Sequence, residues 1–155
     1  RSSIMNLDQV AANFDIVSCS IRKIEADCRM YQISDKNRRK FSLDIRYRKP
    51  EQKEDKKYGG LLVVVEVFID TEVPDDNPDH IYIALEGAFS SPASVSDEDF
   101  EELLNINGGS VLYAIARAKI ETISATIYQS GKILLPMVNI VQYFEEKSKE
   151  QGSET

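Results

Sequence analysis

His80 is the only histidine among 155 residues, and Cys19 and Cys28 are the only cysteines, so the usual metal ligands and nucleophiles are scarce. One imidazole rules out a multi-histidine metal site. It follows Pro78-Asp79 at the head of a strand-like run, which suits a surface histidine better than a general base. The cysteines have eight residues between them in one strand-like stretch. That spacing matches neither a zinc pair nor a disulfide framework, and both read as reduced, half-buried thiols. Gly59-Gly60 precedes a strand, and Gly108-Gly109 lacks the Lys-Ser/Thr that a phosphate loop requires. Asp75-Asp76, Glu101-Glu102 and Glu145-Glu146 are chain neighbours in solvated stretches, and neighbours on a helix do not converge on one point. No nucleophile, base and stabiliser come together. The chain reads as a non-enzyme that needs no metal and no cofactor.

What it holds in excess is apolar side chains, in positions that a small sheet-and-helix domain does not bury alone. Phe41, Leu43, Ile45 and Tyr47 form one set; Ile127, Tyr128, Ile133, Leu134, Leu135 and Met137 form another around a loop. Large exposed apolar patches mark interaction sites, and flexible Met and aliphatic side chains suit promiscuous binding. These ten are the candidate polypeptide-binding residues. The first set is also what a core would use. A core role is harder for the loop set, because a deep loop strands its backbone polar groups.

The elements that must position these residues follow from periodicity. Phe14 to Tyr31 is strand-like, with Val17, Cys19 and Ile21 on one parity and Ile24, Ala26, Cys28 and Met30 on the other, so a bulge is expected near Arg22-Lys23. Residues 32–40 form a basic turn. Phe41 to Tyr47 alternates cleanly as a half-buried strand, and the charged residues 49–57 read as a solvated, mobile loop. Tyr58 to Asp70 is the strongest strand: Leu61, Val63, Val65, Val67 and Ile69 line one face, while Leu62, Val64 and Phe68 make the other apolar too. An acidic turn over 71–79 leads to a fourth strand from His80 to Phe89.

Ser96 can cap a short acidic helix that ends at Gly108-Gly109. A long helix follows, with Leu112, Tyr113, Ala116, Ile120, Ile123 and Ile127 in one sector. Val111, Ala114, Ala118, Thr122 and Ala125 form a second strip of small residues, the expected oligomer interface; Arg117, Glu121 and Ser124 fill the gap. After the apolar loop, Asn139 caps a short helix with Gln142 at its third position, and Val138 and Tyr143 stand at staple positions. The tail after Phe144 is polar and, from Gln151, expected to be disordered. Residues 7–13 could supply one or two helical turns. Four strands followed by helices, without βαβ alternation, predict one α+β domain: a four-stranded antiparallel sheet with a long helix and shorter helices packed on one face.

Residues 1–60 carry 14 Lys/Arg against 9 Asp/Glu, net +5, and residues 61–155 carry 5 against 17, net −12. The basic residues are interleaved with acids or sit in a loop, so nucleic acid is not an expected partner. No apolar run reaches the roughly 18 residues that span a bilayer, and 1–10 has no signal-peptide pattern. Membrane insertion is not expected, and the cytoplasm is the expected location. Residues 1–6 read either as flexible or as an addition to the native chain, and nothing in the sequence decides whether Arg1 to Ile4 are native.

The run Leu112-Tyr113-x-x-Ala116-Arg117, followed by Ile120 and then Leu135-Pro136-x-Val138-Asn139-Ile140, resembles the C-terminal half of the SecB-type export chaperones. With the preceding strands, the likeness covers most of 58–144. The Pro-Tyr pair usual before Ala-Arg is Ala114-Ile115 here, and the acidic residue usual after the Arg is Ala118, as in a divergent relative. The resemblance implies a sheet with a bent first strand, and chains that pair into a dimer or a tetramer with long helices between sheets. It implies an ATP-independent holdase that keeps extended, non-native polypeptides, either preproteins or an antitoxin, in apolar grooves. SecA is a further implied partner, although the family's acidic docking position falls near Ile81 or Tyr82, which are not acidic. The alternative is an adaptor that keeps this fold for one fixed protein partner.

Overall fold

The computed structural model describes residues 4, 6, 13–73 and 77–153, with side chains as far as residue 150. The expectations for 1–6 and 7–13 lie outside the described residues, save at Ile4, Asn6 and Asn13, as does the centre of the acidic turn. One antiparallel sheet has the order β1-β4-β3-β2, from β1 (Asp15–Asp27), β2 (Arg39–Lys53), β3 (Lys56–Ile69) and β4 (Asp79–Pro92). Leu61, Val63, Val65, Val67 and Ile69 of β3 are at most 1% exposed. Beside them lie Ile81, Ile83, Leu85 and Phe89 of β4, so the two central strands supply most of the sheet's side of the core. The expected bulge in β1 is a register shift between Ile21 and Lys23; a second shift, between Ile16 and Ser18, has no counterpart in the sequence pattern.

The charged segment 49–57 is not a loop. β2 runs to Lys53 and β3 begins at Lys56, so only Glu54 and Asp55 turn, Glu54 with a φ of 59°. Two-residue hairpins favour positive φ because it matches the strand twist. Pro50 fits because β2 is an edge strand with a register shift between Arg48 and Glu51. Buried Lys57 donates to the Val95 carbonyl and, at 2.7 Å, to Asp97. The hairpin end is thereby fastened to the first helix. Charge alone did not predict this pairing, since the partners are far apart in sequence.

Ser96 caps α1 (Asp97–Glu102), accepting from the Asp99 amide at 3.1 Å, and three acids in the first turn suit its positive end. The break expected at Gly108-Gly109 does not occur. A π-helical segment, Leu103–Gly108, runs directly into α2 (Gly109–Ile127), with both glycines in the right-handed helical conformation. Their missing side chains serve close packing instead. A Cβ on Gly108 would stand 3.0 Å from Leu61, and one on Gly109 would stand 3.3 Å from Ile140. Leu112, Tyr113, Ala116 and Ile120 are buried on the sheet, and Ile123 and Ile127 are half-buried against it. Asn139 caps α3 (Ile140–Ser153), its Oδ1 accepting from the Gln142 amide at 3.0 Å. This helix passes well beyond Phe144, where a polar tail was expected, and Lys147 holds it against β2. Among the described residues, no helix is long and apolar enough to cross a membrane.

Candidate functional site

Residues 128–139 connect α2 to α3, and their depth is set by side chains of α2. The Ile133 amide donates to Ser124 Oγ at 2.7 Å; Arg117 Nε donates to the Leu135 carbonyl at 2.8 Å, and the Tyr113 hydroxyl to the Pro136 carbonyl at 2.6 Å. Ile140 then meets Gly109. The segment therefore runs antiparallel to α2. From Ser124 back to Gly109 the helix rises about 22 Å, and seven residues from Ile133 to Ile140 span about 23 Å when extended. The two lengths match, so this connection is a nearly straight strip. Its side chains alternate: Ile133 and Leu135 are 0% and 1% exposed, Leu134 is 50% exposed, and Met137 stands in solvent.

That geometry narrows the candidate surface. Tyr128, Ile133, Leu135 and, on β2, Ile45 are core residues, all at most 3% exposed, and do not face a guest in this chain. The loop lies deep because helix hydroxyls and a guanidinium satisfy its backbone groups, a route that backbone reasoning alone leaves out. Arg117 and Ser124, which looked like gap fillers between two stripes, are the residues responsible. Phe41, Leu43 and Ile127 are half-buried, and Tyr47, Leu134 and Met137 are exposed.

Residues that the sequence pattern did not single out complete the surface near β2. A shallow groove of about 330 Å³ is lined by Ile45, Tyr47, Glu101, Asn105, Phe144 and Lys147. The Asn105 Oδ1 atom is buried there without a hydrogen-bond partner. Phe144 packs edge-on against Tyr143, ring centroids 5.1 Å apart. The signal available in the sequence was the aromatic pair followed by Lys147, four residues after Tyr143 and so on the same helix face.

The strip Val111, Ala114, Ala118, Thr122 and Ala125 is exposed along the outer side of α2. Beside it lies a predominantly apolar groove of about 420 Å³, where Ile21 of β1 faces Ile115, Ala118, Thr122 and Ile123. One face of α2 is thus packed on the sheet, and among the described residues nothing covers the other.

The polar groups that could have done chemistry are engaged structurally. Asp79, fully buried, accepts from the Tyr128 hydroxyl and the Arg29 amide at 2.8 Å each and from the Met30 amide at 3.3 Å, tying the end of β1 to the end of α2. Burial, with Cys28 and the Asp79 carboxylate nearby, pushes the Tyr128 phenol far above its ordinary value. Burial also raises the Cys28 thiol, the opposite of what a nucleophilic cysteine needs. His80 Nε2 lies 2.9 Å from Glu66, and its ring stacks on Phe68 at 4.5 Å, a cross-strand contact on the face away from the helices. Among the described residues, no group of three His, Cys, Asp or Glu side chains is placed to hold a metal ion.

No protein-family model matches the chain, and no curated protein matches it by sequence. By structure it is similar to the Mycobacterium tuberculosis Rv1957 SecB-like chaperone, solved in complex with a ChAD peptide from the Rv1956 HigA1 antitoxin. The TM-score is 0.54 at 10% identity, over 84% of this chain and 94% of that one. At such identity the likeness is one of fold: an α+β, SecB-like arrangement of four antiparallel strands, a long helix and a shorter one.

Proposed function

We propose that this chain is an ATP-independent, SecB-like holdase working in the cytoplasm, which keeps extended, non-native polypeptides on the apolar surface between β2 and the α2–α3 connection. The observation that carries the reading is the pinned strip. Leu134 and Met137 are held out in solvent by a backbone that α2 fixes from below, so displaying them costs little further ordering. Greasy side chains on a fixed frame can grip many sequences, since the ordering cost of binding falls mainly on the guest. The SecB-like fold, and a neighbour solved with an antitoxin peptide, support polypeptide as the ligand class. Preproteins and an antitoxin are both compatible clients.

In this reading copies of the chain pair over the small-residue strip of α2 and the groove beside Ile21, giving a dimer or a tetramer. Several weak grooves then retain one guest through effective concentration. Hand-off to SecA is not included: Ile81 is buried and Tyr82 carries no charge, so neither offers an acidic docking group.

Light scattering of several unrelated unfolding proteins tests the proposal. Suppression across clients is expected, and replacing Leu134 and Met137 together by Ser should weaken it with an unchanged far-ultraviolet spectrum. Suppression of none, with tight binding to one natural partner, would favour the fixed-partner adaptor instead.

A further inference from the structure

The outer edge of β2 is occupied by side chains where another strand would lie. The Ile45 amide donates to the Tyr143 hydroxyl at 3.0 Å, and Lys147 Nζ donates to the Ile45 carbonyl at 3.0 Å. Lys147 also donates to Asp44 at 2.9 Å and to Tyr143 at 3.1 Å, which fixes both capping groups in place. Backbone groups of a strand point alternately to its two sides. Since those of Ile45 point away from β3, so do those of Leu43 and Tyr47. Among the described residues no side chain caps either of these. An edge with free N–H and C=O groups is a template for a further strand. Here it is plugged at its middle and open on both sides.

We propose that this edge is the docking line for an extended polypeptide backbone, and that Tyr143 and Lys147 are a plug which the guest displaces or flanks. The inference rests on the polypeptide-holding reading and adds the mode of recognition. A strand laid beside β2 would turn alternate side chains toward the helix side, near half-buried Leu43, exposed Tyr47 and Phe144. Its other side chains would lie beside Lys40, Arg46 and Arg48 on the reverse face, whose acids are already engaged, Asp44 by Arg46 and Lys147, and Glu86 by Arg22 and, at 3.5 Å, by Arg48. The fitting guest is therefore a segment that alternates apolar residues with acidic ones. Bulge and Pro50 end the usable edge beyond Arg48.

The test uses the full chain and a peptide of about ten residues alternating valine with glutamate, against the same peptide N-methylated at the amides of one edge. Methylation keeps the side chains and removes the edge hydrogen bonds. Binding at least about tenfold weaker for the methylated peptide is expected, with Leu43 and Tyr47 amide exchange slowed by the unmodified one. The pair Tyr143→Phe with Lys147→Met should tighten peptide binding about threefold or more, because two competing hydrogen bonds are gone. Equal affinity of the two peptides would overturn edge docking, as would failure of both to bind while unfolding clients are still held; either result leaves the holdase reading standing. Loss of client holding and peptide binding alike would overturn both. Should the double variant not fold, the peptide pair and the amide exchange decide with the unaltered chain.

Discussion

Replacing Ser124 by Ala isolates the device that lets an apolar connection lie in the core. Ser124 is 0% exposed; its hydroxyl accepts from the Ile133 amide at 2.7 Å and donates to the Glu121 carbonyl at 3.1 Å. Without it the Ile133 N–H stays buried, because Ile133 is itself 0% exposed, and has no acceptor. A buried donor left unsatisfied costs about 1–3 kcal/mol, and alanine returns up to about 0.5 kcal/mol of helix propensity. The net loss should be about 1.5 kcal/mol, or a fall in Tm of roughly 3–6 °C for a chain of this size. The matched control is Thr126→Ala, two residues along the helix. Its hydroxyl bonds back to the Thr122 carbonyl at 2.9 Å but is exposed, so the change should lie within about 0.5 kcal/mol of zero. Urea midpoints at one fixed protomer concentration, with unchanged slopes, provide the comparison. Amide exchange at Ile133 gives the local readout. If both variants unfold together and Ile133 stays as protected as before, the connection is not held by Ser124.

Gly131 has a φ of +94°, and an added Cβ would stand 2.3 Å from the Ile33 carbonyl oxygen. Gly131→Ala should therefore cost about 3 kcal/mol or more, and a urea midpoint near that of the parent chain would count against this packing. Ala118→Phe leaves an exposed position exposed in the single chain, yet should lower the assembled mass by overfilling a close helix contact; an unchanged mass in multi-angle light scattering refutes the proposed pairing face. The docking of α3 should depend on pH at both ends. Burial alone would raise the Asp44 carboxyl, but hydrogen bonds from Lys147 and Arg46 carry it below its ordinary 3.8. Burial would likewise lower Lys147, but its bonds to Asp44 and Tyr143 hold it above 10.5. Asp44 thus contributes above about pH 4 and stops doing so as pH falls through its depressed value; Lys147 contributes below 10.5 and stops as pH rises through its raised one. Protection of the α3 amides relative to their intrinsic exchange rates should be flat between these limits, and Lys147→Met should remove most of the acid limb; a variant equally sensitive to acid would refute the coupling.

Periodicity by itself determined the strands, the bulge near Arg22, the caps at Ser96 and Asn139, and the sector of α2 that meets the sheet. Each depends on contacts a few residues apart or on strict alternation, which a linear chain displays. The class, strands first and helices after, followed from their order.

Only the tertiary structure decided where polar chemistry between distant residues overrides composition. Residues 49–57 pair as a hairpin whose end Lys57 fastens to Val95 and Asp97, and the polar stretch after Phe144 is helical where Lys147 reaches Asp44 and the Ile45 carbonyl. Gly108-Gly109 reads as a stop signal, yet packs within a continuous helix against Leu61 and Ile140. In the connection, Ile133 and Leu135 go inward and Leu134 and Met137 outward because Tyr113, Arg117 and Ser124 satisfy the backbone between them. Hydrophobicity is a property of each residue and can be read in line. The partner of a hydrogen bond is a property of the folded arrangement, and it alone settled which greasy residues became core and which were left on the surface.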